Sequence, residues 1–276
     1  MNHRKFLLIF FLTYNTCNAG NNLENPKPSY YFPYTSIVES TPDECIIKDD
    51  DRLINDASKL ESIFLNSVSD EVTVKDEISY GKKFNDIFKT KIVFVRDNNY
   101  LRLHKIFKML LPFVSRKDLH YSIVLVQDDS NINAWTHAGG YIYVTTGLMN
   151  FVNSDDELAF CIAHEIGHNE NNHCKSIVQR LKTANNFGVS RDLADMASDL
   201  YSSVFAAFNQ PQEIESDLAG VYLAYRAGYN PVKSLDFFKK LSLSDNHASV
   251  DKFISSHPFP SERSYCLEQY LEKSKK

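Results

Sequence analysis

The sequence lacks any apolar run near the roughly 20 residues that a membrane-spanning helix requires. It also lacks an excess of one charge, because 30 Lys and Arg against 35 Asp and Glu leave a net charge of -5. That balance argues against nucleic acid as a partner, since phosphate neutralisation needs clustered basic residues. Nine glycines and nine prolines in 276 residues exclude a collagen-like or linker-dominated chain. The hydrophobic fraction of 43% is typical of a globular domain.

The first residues have the order of a secretory signal. Arg4 and Lys5 precede an apolar run over residues 6–12, and polar and small residues follow up to Ala19. The pattern predicts a signal peptide over residues 1–19, cleavage near Ala19 and a periplasmic or otherwise exported protein. An uncleaved N-terminal anchor is the alternative.

Cysteine is scarce, and no two cysteines have the C-x-x-C spacing of a zinc knuckle. We expect Cys161 and Cys174 on one helix, roughly 20 Å apart at 1.5 Å rise per residue, which is too far for a disulfide. An exported protein is permitted disulfides. Cys45 with Cys266 is therefore the favoured pair, and it would join the N-terminal segment to the C-terminal helix.

The remaining chain predicts one mostly helical α+β domain over residues 51–276, preceded by an extended leader over residues 20–50. Apolar residues at helical spacing predict helices, and short apolar runs bounded by turn residues predict strands. The predicted helices cover residues 51–69, 72–88, 98–114 and the region from residue 154 onward. The predicted strands cover residues 120–126, 133–135 and 141–145, with a turn at Gly139-Gly140.

His164, Glu165 and His168 form an H-E-x-x-H motif. Residues four apart lie one turn apart on the same helix face, so both imidazoles can bind one zinc ion. Glu165 points away from the metal and reaches a water molecule beside it, where a carboxylate can act as general base. Ser154 and Glu157 predict a capping box at the start of this helix, which places the motif in mid-helix.

A third ligand is expected from a second helix, which Pro211 can start and Gly228 can end. Glu213 and Asp217 lie four apart on one face of it, whereas Glu215 is expected to point elsewhere. One of the two facing carboxylates would bind the metal and the other would orient a ligand histidine. A solvated acidic first turn, favoured by the helix dipole, is the alternative.

Four blocks of sequence resemble the HtpX-like and CAAX-prenyl-protease-like zinc metallopeptidases, family forty-eight of the metallopeptidases. The chain is most similar to their soluble bacterial envelope members of the BepA and LoiP type. The blocks lie in order along the chain: Asn133-Ala134-Trp135 with residues 139–148, Glu157-Leu158-Ala159 with the H-E-x-x-H motif, Glu213 and Asp217 with residues 227–231, and residues 256–263.

The resemblance implies a zincin-like fold with a small β-sheet and one zinc ion per chain. It implies His164, His168 and Glu213 as the ligands, Glu165 as the base and Asp217 as the partner that orients a ligand.

The resemblance also implies that His257 is a gating or fourth ligand and that Arg263 lies near the active site. A neutral imidazole can bind zinc and displace its water, which would give a latent enzyme. The alternatives are a loop histidine for His257 and a structural ion pair for Arg263.

The strand around Gly140, Tyr141, Ile142 and Tyr143 is a candidate for substrate binding, because an exposed strand can pair with an extended peptide. Ordinary sheet core is the other interpretation, and both can hold. The apolar stretch over residues 177–208 is interpreted either as a helical lid, which would contact a membrane surface, or as core packing.

Together these features predict a zinc endopeptidase. By family analogy its substrates and partners are unfolded or misassembled cell-envelope proteins. The alternative is a zinc-stabilised chaperone or assembly factor that binds such chains and seldom cuts them.

Overall fold

The computed structural model describes residues 29–32, 45, 71–186, 208–244, 247–258 and 260–275. The predicted signal peptide, most of the leader, the predicted helix over residues 51–69 and most of the stretch over residues 177–208 lie outside the described residues. No helix among the described residues combines the length and apolar character that crossing a membrane requires.

In chain order, helix α1 (Val74–Lys91) is followed by the short strand β1 (Phe94–Val95) and then by helix α2 (Asn98–Leu110). A reciprocal capping box between Thr73 and Asp76 starts α1. The predicted helix over residues 98–114 ends early, and a single 3₁₀ turn containing Pro112 follows it. Proline has no backbone N–H to continue the helical hydrogen bonds, which is a physical reason for this early end.

The sheet has four strands in the order β1-β2-β4-β3. The further strands are β2 (Ser122–Val126), β3 (Ala134–His137) and β4 (Tyr141–Thr145). Strand β4 pairs in parallel with β2 and antiparallel with β3, so both of its edges are occupied. The tight β3–β4 turn uses positive φ values of 85° at Gly139 and 82° at Gly140, a conformation that glycine adopts without steric cost.

Six further helices complete the described fold beside the short helix α3 (Thr146–Phe151). They are α4 (Asp155–Glu170), α5 (His173–Asn186), α6 (Gln210–Arg226), α7 (Lys233–Ser242), α8 (His247–Ser256) and α9 (Pro260–Ser274). The predicted class, a mostly helical α+β fold with a small sheet, is confirmed.

Helices α4 and α6 pack closely because glycines lie where they touch. A Cβ atom on Gly220 would lie 3.0 Å from the His164 backbone nitrogen, and one on Gly167 would lie 3.0 Å from the Ser216 backbone oxygen. Either methyl group would force the two helices apart. This close approach brings the H-E-x-x-H helix next to the helix that carries Glu213.

The described cysteines differ in part from the prediction. Cys45 and Cys266 form the expected disulfide, with Cα atoms 5.5 Å apart. Cys161 and Cys174 are buried and unpaired, but the expectation that they share one helix is wrong. Helix α4 ends at Glu170, and Asn172 takes a positive φ of 62° before α5 begins. Asparagine visits this left-handed region more readily than most residues, so the chain turns there.

Candidate active site

The H-E-x-x-H motif lies in the middle of α4, as the sequence predicts. The Ser154 hydroxyl accepts a hydrogen bond from the Glu157 backbone and caps the helix. The Glu157 carboxylate accepts from the backbone of Asn153 rather than from that of Ser154, so the expected capping box is shifted by one residue. The helix lies between the sheet and α6, and its motif residues are buried.

Two imidazoles and one carboxylate converge on a single point. The Nε2 atoms of His164 and His168 lie 3.1 Å apart. The Glu213 carboxylate brings Oε2 to 3.5 Å from His164 Nε2 and Oε1 to 3.4 Å from His168 Nε2. One ligand atom from each of these residues and from His257 lies within 4.8 Å of the others. The structure therefore places Glu213, rather than Asp217, with the two histidines.

This arrangement fits a zinc ion. Facing Nε2 atoms with proton-free lone pairs, beside a carboxylate, are unfavourable unless a cation lies between them. Glu213 Oε1 is buried and has no hydrogen-bond partner within the described residues. Two histidines and one glutamate are a ligand set that catalytic zinc sites use, with a further position left for water or substrate. His164, His168 and Glu213 are the residues that would hold the ion.

Asp217 and Arg263 support this cluster from behind. Asp217 Oδ1 accepts a hydrogen bond of 2.8 Å from His164 Nδ1. Arg263 donates to both oxygens of Asp217 and lies 2.6 Å from Glu213 Oε2 through Nη1. Both carboxylates are fully buried, so the alternative of a solvated acidic turn is wrong. Arg263 is both an ion-pair residue and a neighbour of the site.

The charges around Glu213 keep its carboxylate ionised. Burial alone would raise the pKa of Glu213, but Arg263 and His257 outweigh burial and hold that pKa well below its usual range. The pKa of Asp217 is lowered in the same way, with Arg263 and His164 outweighing burial. An ionised carboxylate is the form that binds a metal or orients an imidazole.

Glu165 lies beside the cluster in a different environment. Burial raises its pKa, in spite of the neighbouring His257 and His164. Its Oε1 lies 3.6 Å from His257 Nε2, and its Oε2 has no hydrogen-bond partner in the described part of the chain. A carboxylate with a raised pKa is better suited to accept a proton near neutral pH than an ordinary one.

His257 lies in the loop that follows α8, and it is buried against the same site, so it is a loop histidine that also contacts the cluster. Its Nδ1 lies 3.3 Å from Glu213 Oε2, and its Nε2 lies 3.0 Å from the Ala134 carbonyl oxygen. Burial would lower the pKa of His257, but Glu213 outweighs burial and raises it to about 9. The Glu213 carboxylate is thus the main electrostatic partner of His257 among the described residues.

The expected substrate strand does not fit the sheet. Gly140, Tyr141, Ile142 and Tyr143 lie in or next to β4, whose two edges are already paired with β2 and β3. Ile142 and Tyr143 are buried, and the Tyr143 hydroxyl donates to Asn85. An added peptide strand needs an unpaired edge. The paired edges of β4 therefore leave no place for a peptide strand there, and β3, not β4, is the strand that contacts His257.

Two residues that the sequence does not predict as ligands, His173 and Glu215, lie directly behind the site. His173 Nδ1 is 3.0 Å from His168 Nδ1, and His173 Nε2 is 2.8 Å from Glu215 Oε2. On a continuous helix His173 would lie about 140° further round than His168, so the sequence predicts a helix-terminal histidine or a support for a ligand rather than a ligand. The helix breaks at Asn172, and this break brings the His173 ring to His168. The Asn171-Asn172 pair is the signal that would have indicated this break.

Comparison with known proteins identifies the family of this chain. The model of peptidase family M48 matches residues 97–270. The mitochondrial metalloendopeptidase OMA1 of Arabidopsis thaliana is 33% identical over 152 residues, which cover 53% of this chain and 31% of that protein. The beta-barrel assembly-enhancing protease of Yersinia pestis is 26% identical over 165 residues, which cover 54% of this chain and 33% of that protein.

The alignment with a third relative covers most of that relative's length. The metalloprotease YcaL of Escherichia coli is 25% identical over 187 residues, which cover 63% of this chain and 70% of that protein. The chain spans only about a third of the length of the Arabidopsis and Yersinia relatives. The family match over residues 97–270 includes all four residues of the possible metal cluster.

Proposed function

The chain belongs to peptidase family M48, and from that premise we propose that it is a zinc-dependent endopeptidase. The observation that carries this proposal is the convergence of His164, His168 and Glu213 on one point, with the Glu165 carboxylate beside it. This is the donor set and the base that metal-assisted hydrolysis of a peptide bond requires.

Each residue of the site has a separate task in this reaction. A bound zinc ion supplies a Lewis acid that polarises the scissile carbonyl and lowers the pKa of water. Glu165 accepts a proton from the attacking water and later donates it to the leaving amine. Asp217 orients His164 by accepting a hydrogen bond from the Nδ1–H of that histidine. Arg263 holds the carboxylates of Glu213 and Asp217 in place.

His257 is the proposed gate of this site. It contacts Glu213 and lies near Glu165, the two residues between which a substrate carbonyl would have to approach. The cavity beside Glu165 and His257 has a volume of about 20 Å³. That volume holds one water molecule but no peptide. His257 thus occupies the approach to the cluster, and its displacement would open that approach to a peptide.

The proposed substrates are unfolded or misassembled proteins of the cell envelope. Three observations support this: the predicted export signal, the Cys45–Cys266 disulfide, which suits an oxidising compartment, and the name of the Yersinia relative. A zinc-stabilised chaperone that seldom cuts is the second candidate, and the observation that favours it is the buried His257, which lies between Glu213 and Glu165 in this conformation.

The test combines metal content with cleavage of casein by the wild type, Glu165→Gln and His257→Ala. Glu268→Gln is the matched control, because it makes the same substitution on the exposed face of α9. We expect one zinc per chain in all four proteins, loss of cleavage in Glu165→Gln, faster cleavage in His257→Ala and no change in the control. Zinc without cleavage of casein or unfolded envelope proteins would support the chaperone, and absence of zinc would refute both.

A further inference from the structure

A chain of two hydrogen bonds runs from the ligand histidine His168 to the protein surface. His168 Nδ1 lies 3.0 Å from His173 Nδ1, and His173 Nε2 lies 2.8 Å from Glu215 Oε2. His168 and His173 are buried, whereas the Glu215 side chain is 28% exposed. The three side chains thus form a line that begins at the metal cluster and ends in contact with solvent.

Two features of the backbone create this line. The positive φ of 62° at Asn172 ends one helix and lets α5 begin at His173, which turns the His173 ring back toward His168. Helix α6 then presents Glu213 to the metal cluster and Glu215 to His173, although only one residue, Ile214, separates them. The Ser216 hydroxyl lies 3.3 Å from His173 Nδ1 and also contacts this ring.

The hydrogen-bond chemistry allows one arrangement of protons when His168 binds a metal. His168 Nε2 must then be free of a proton, so the proton lies on Nδ1 and is donated to His173 Nδ1. His173 accepts at Nδ1 and carries its own proton on Nε2, which it donates to Glu215. A carboxylate only accepts hydrogen bonds, so Glu215 fixes the donor and the acceptor of both hydrogen bonds, which run from His168 through His173 to Glu215.

The other ligand histidine is held in a simpler way. His164 donates its Nδ1–H directly to Asp217, which is the usual carboxylate–histidine pair of zinc sites. His168 does not contact a carboxylate through its Nδ1. It contacts His173, and the His173 ring in turn contacts the Glu215 carboxylate. The Phe208 ring stacks on His168 with centroids 3.7 Å apart, which restricts the tilt of the ring but supplies no hydrogen bond.

We propose that His173 and Glu215 are positioning residues that hold the ring and the tautomer of His168 for metal binding. This proposal rests on the proposed function, because it assumes that the cluster binds zinc. It assigns separate tasks to three acidic residues of α6: Glu213 binds the metal, Asp217 orients His164, and Glu215 orients His168 through His173.

The test measures metal affinity directly. Zinc in competition with a chromophoric chelator is titrated into four variants: His173→Ala, Glu215→Ala, the double variant and the control Glu268→Gln. Loss of His173 or of Glu215 should weaken zinc binding about 10- to 100-fold, the usual effect of losing a residue that orients a ligand. The double variant should be no weaker than His173→Ala alone, since both changes break the same chain. The control should match the wild type.

The visible spectrum of the cobalt-substituted proteins separates positioning from general destabilisation. A change in the orientation of His168 should alter the ligand-field bands in Glu215→Ala, even though Glu215 is too far away to bind the metal. Glu215 is partly exposed, so this variant keeps the test valid if His173→Ala fails to fold. Folding is checked by circular dichroism of the metal-free proteins.

The outcomes distinguish this inference from the proposed function. If the wild type binds zinc, and both single variants keep a zinc affinity within twofold of the wild type and the same cobalt spectrum, the positioning role of His173 and Glu215 is refuted and the zinc site stands. If the wild type binds no zinc, the proposed function fails as well.

Discussion

Arg263 and Asp217 form a buried two-pronged ion pair directly behind His164, which is a proposed zinc ligand. Arg263 Nε lies 2.7 Å from Asp217 Oδ2, and Nη2 lies 2.8 Å from Oδ1. The third guanidinium nitrogen of Arg263 lies 2.6 Å from Glu213. One arginine from the C-terminal helix thus sets the positions of a metal ligand and of the residue that orients another ligand.

Replacement of Arg263 should destabilise the protein strongly. Arg263→Ala leaves two buried carboxylates without their cation, and loss of one partner of a buried pair typically costs about 3–5 kcal/mol. Arg263→Lys should recover only part of this, because an ammonium group cannot make the two-pronged contact. Urea unfolding of the metal-free proteins measures both. A loss below about 1 kcal/mol in Arg263→Ala would contradict this account of the pair.

The close packing of α4 on α6 predicts that alanine substitution weakens zinc binding at Gly220 but not at Gly228. Gly220→Ala places a methyl group 3.0 Å from the His164 backbone, so it should cost about 1–3 kcal/mol and weaken zinc binding. Gly228 has a φ of 90° but open space around it, so Gly228→Ala should cost about 1–2 kcal/mol through backbone strain alone. Chelator competition should show normal zinc affinity for Gly228→Ala only.

Metal removal should abolish cleavage and lower stability together. The cluster places His164, His168 and Glu213 around one point, and a ligand that binds only the folded state stabilises it by mass action. At free zinc 100 times above Kd the gain is about 2.7 kcal/mol. Thermal unfolding before and after dialysis against a chelator checks this, and zinc addition should restore both properties. An unchanged melting temperature would argue against zinc binding at this cluster.

The disulfide predicts a definite number of reactive thiols. After cleavage near Ala19 the chain would keep four of its cysteines, of which Cys45 and Cys266 are bonded to each other. Denaturation without reductant should therefore expose two thiols, those of Cys161 and Cys174, and denaturation with reductant should expose four. Four thiols without reductant would refute the bond.

The same bond should contribute to stability. It closes a loop with a sequence separation of 221 residues, and removal of a native disulfide typically costs about 2–5 kcal/mol. Cys45→Ser with Cys266→Ser should lower the midpoint of urea unfolding accordingly. Cys161→Ala is the control for loss of a buried thiol that has no partner, and its effect should be much smaller.

The amino-acid sequence by itself determined the local parts of this site. The spacing of His164 and His168 places both imidazoles on one helix face, because residues four apart are neighbours in any α-helix. The same rule places Glu213 and Asp217 on one face of a second helix. The starts of α1, α2, α4 and α6 and the bounds of β2, β3 and β4 were also predicted to within two residues, since capping residues and apolar spacing act within a few residues, whereas β1 and the starts of the other helices were not predicted.

Only the tertiary structure decided how these parts meet. It placed Glu213 at the metal cluster and Asp217 behind His164, a choice that the spacing left open. It put β4 inside the sheet, which removed the expected substrate strand, and it brought Glu215 to His173. Such contacts depend on the packing of helices and strands that are far apart in the chain. Local spacing specifies which face a residue occupies, whereas packing specifies what that face touches.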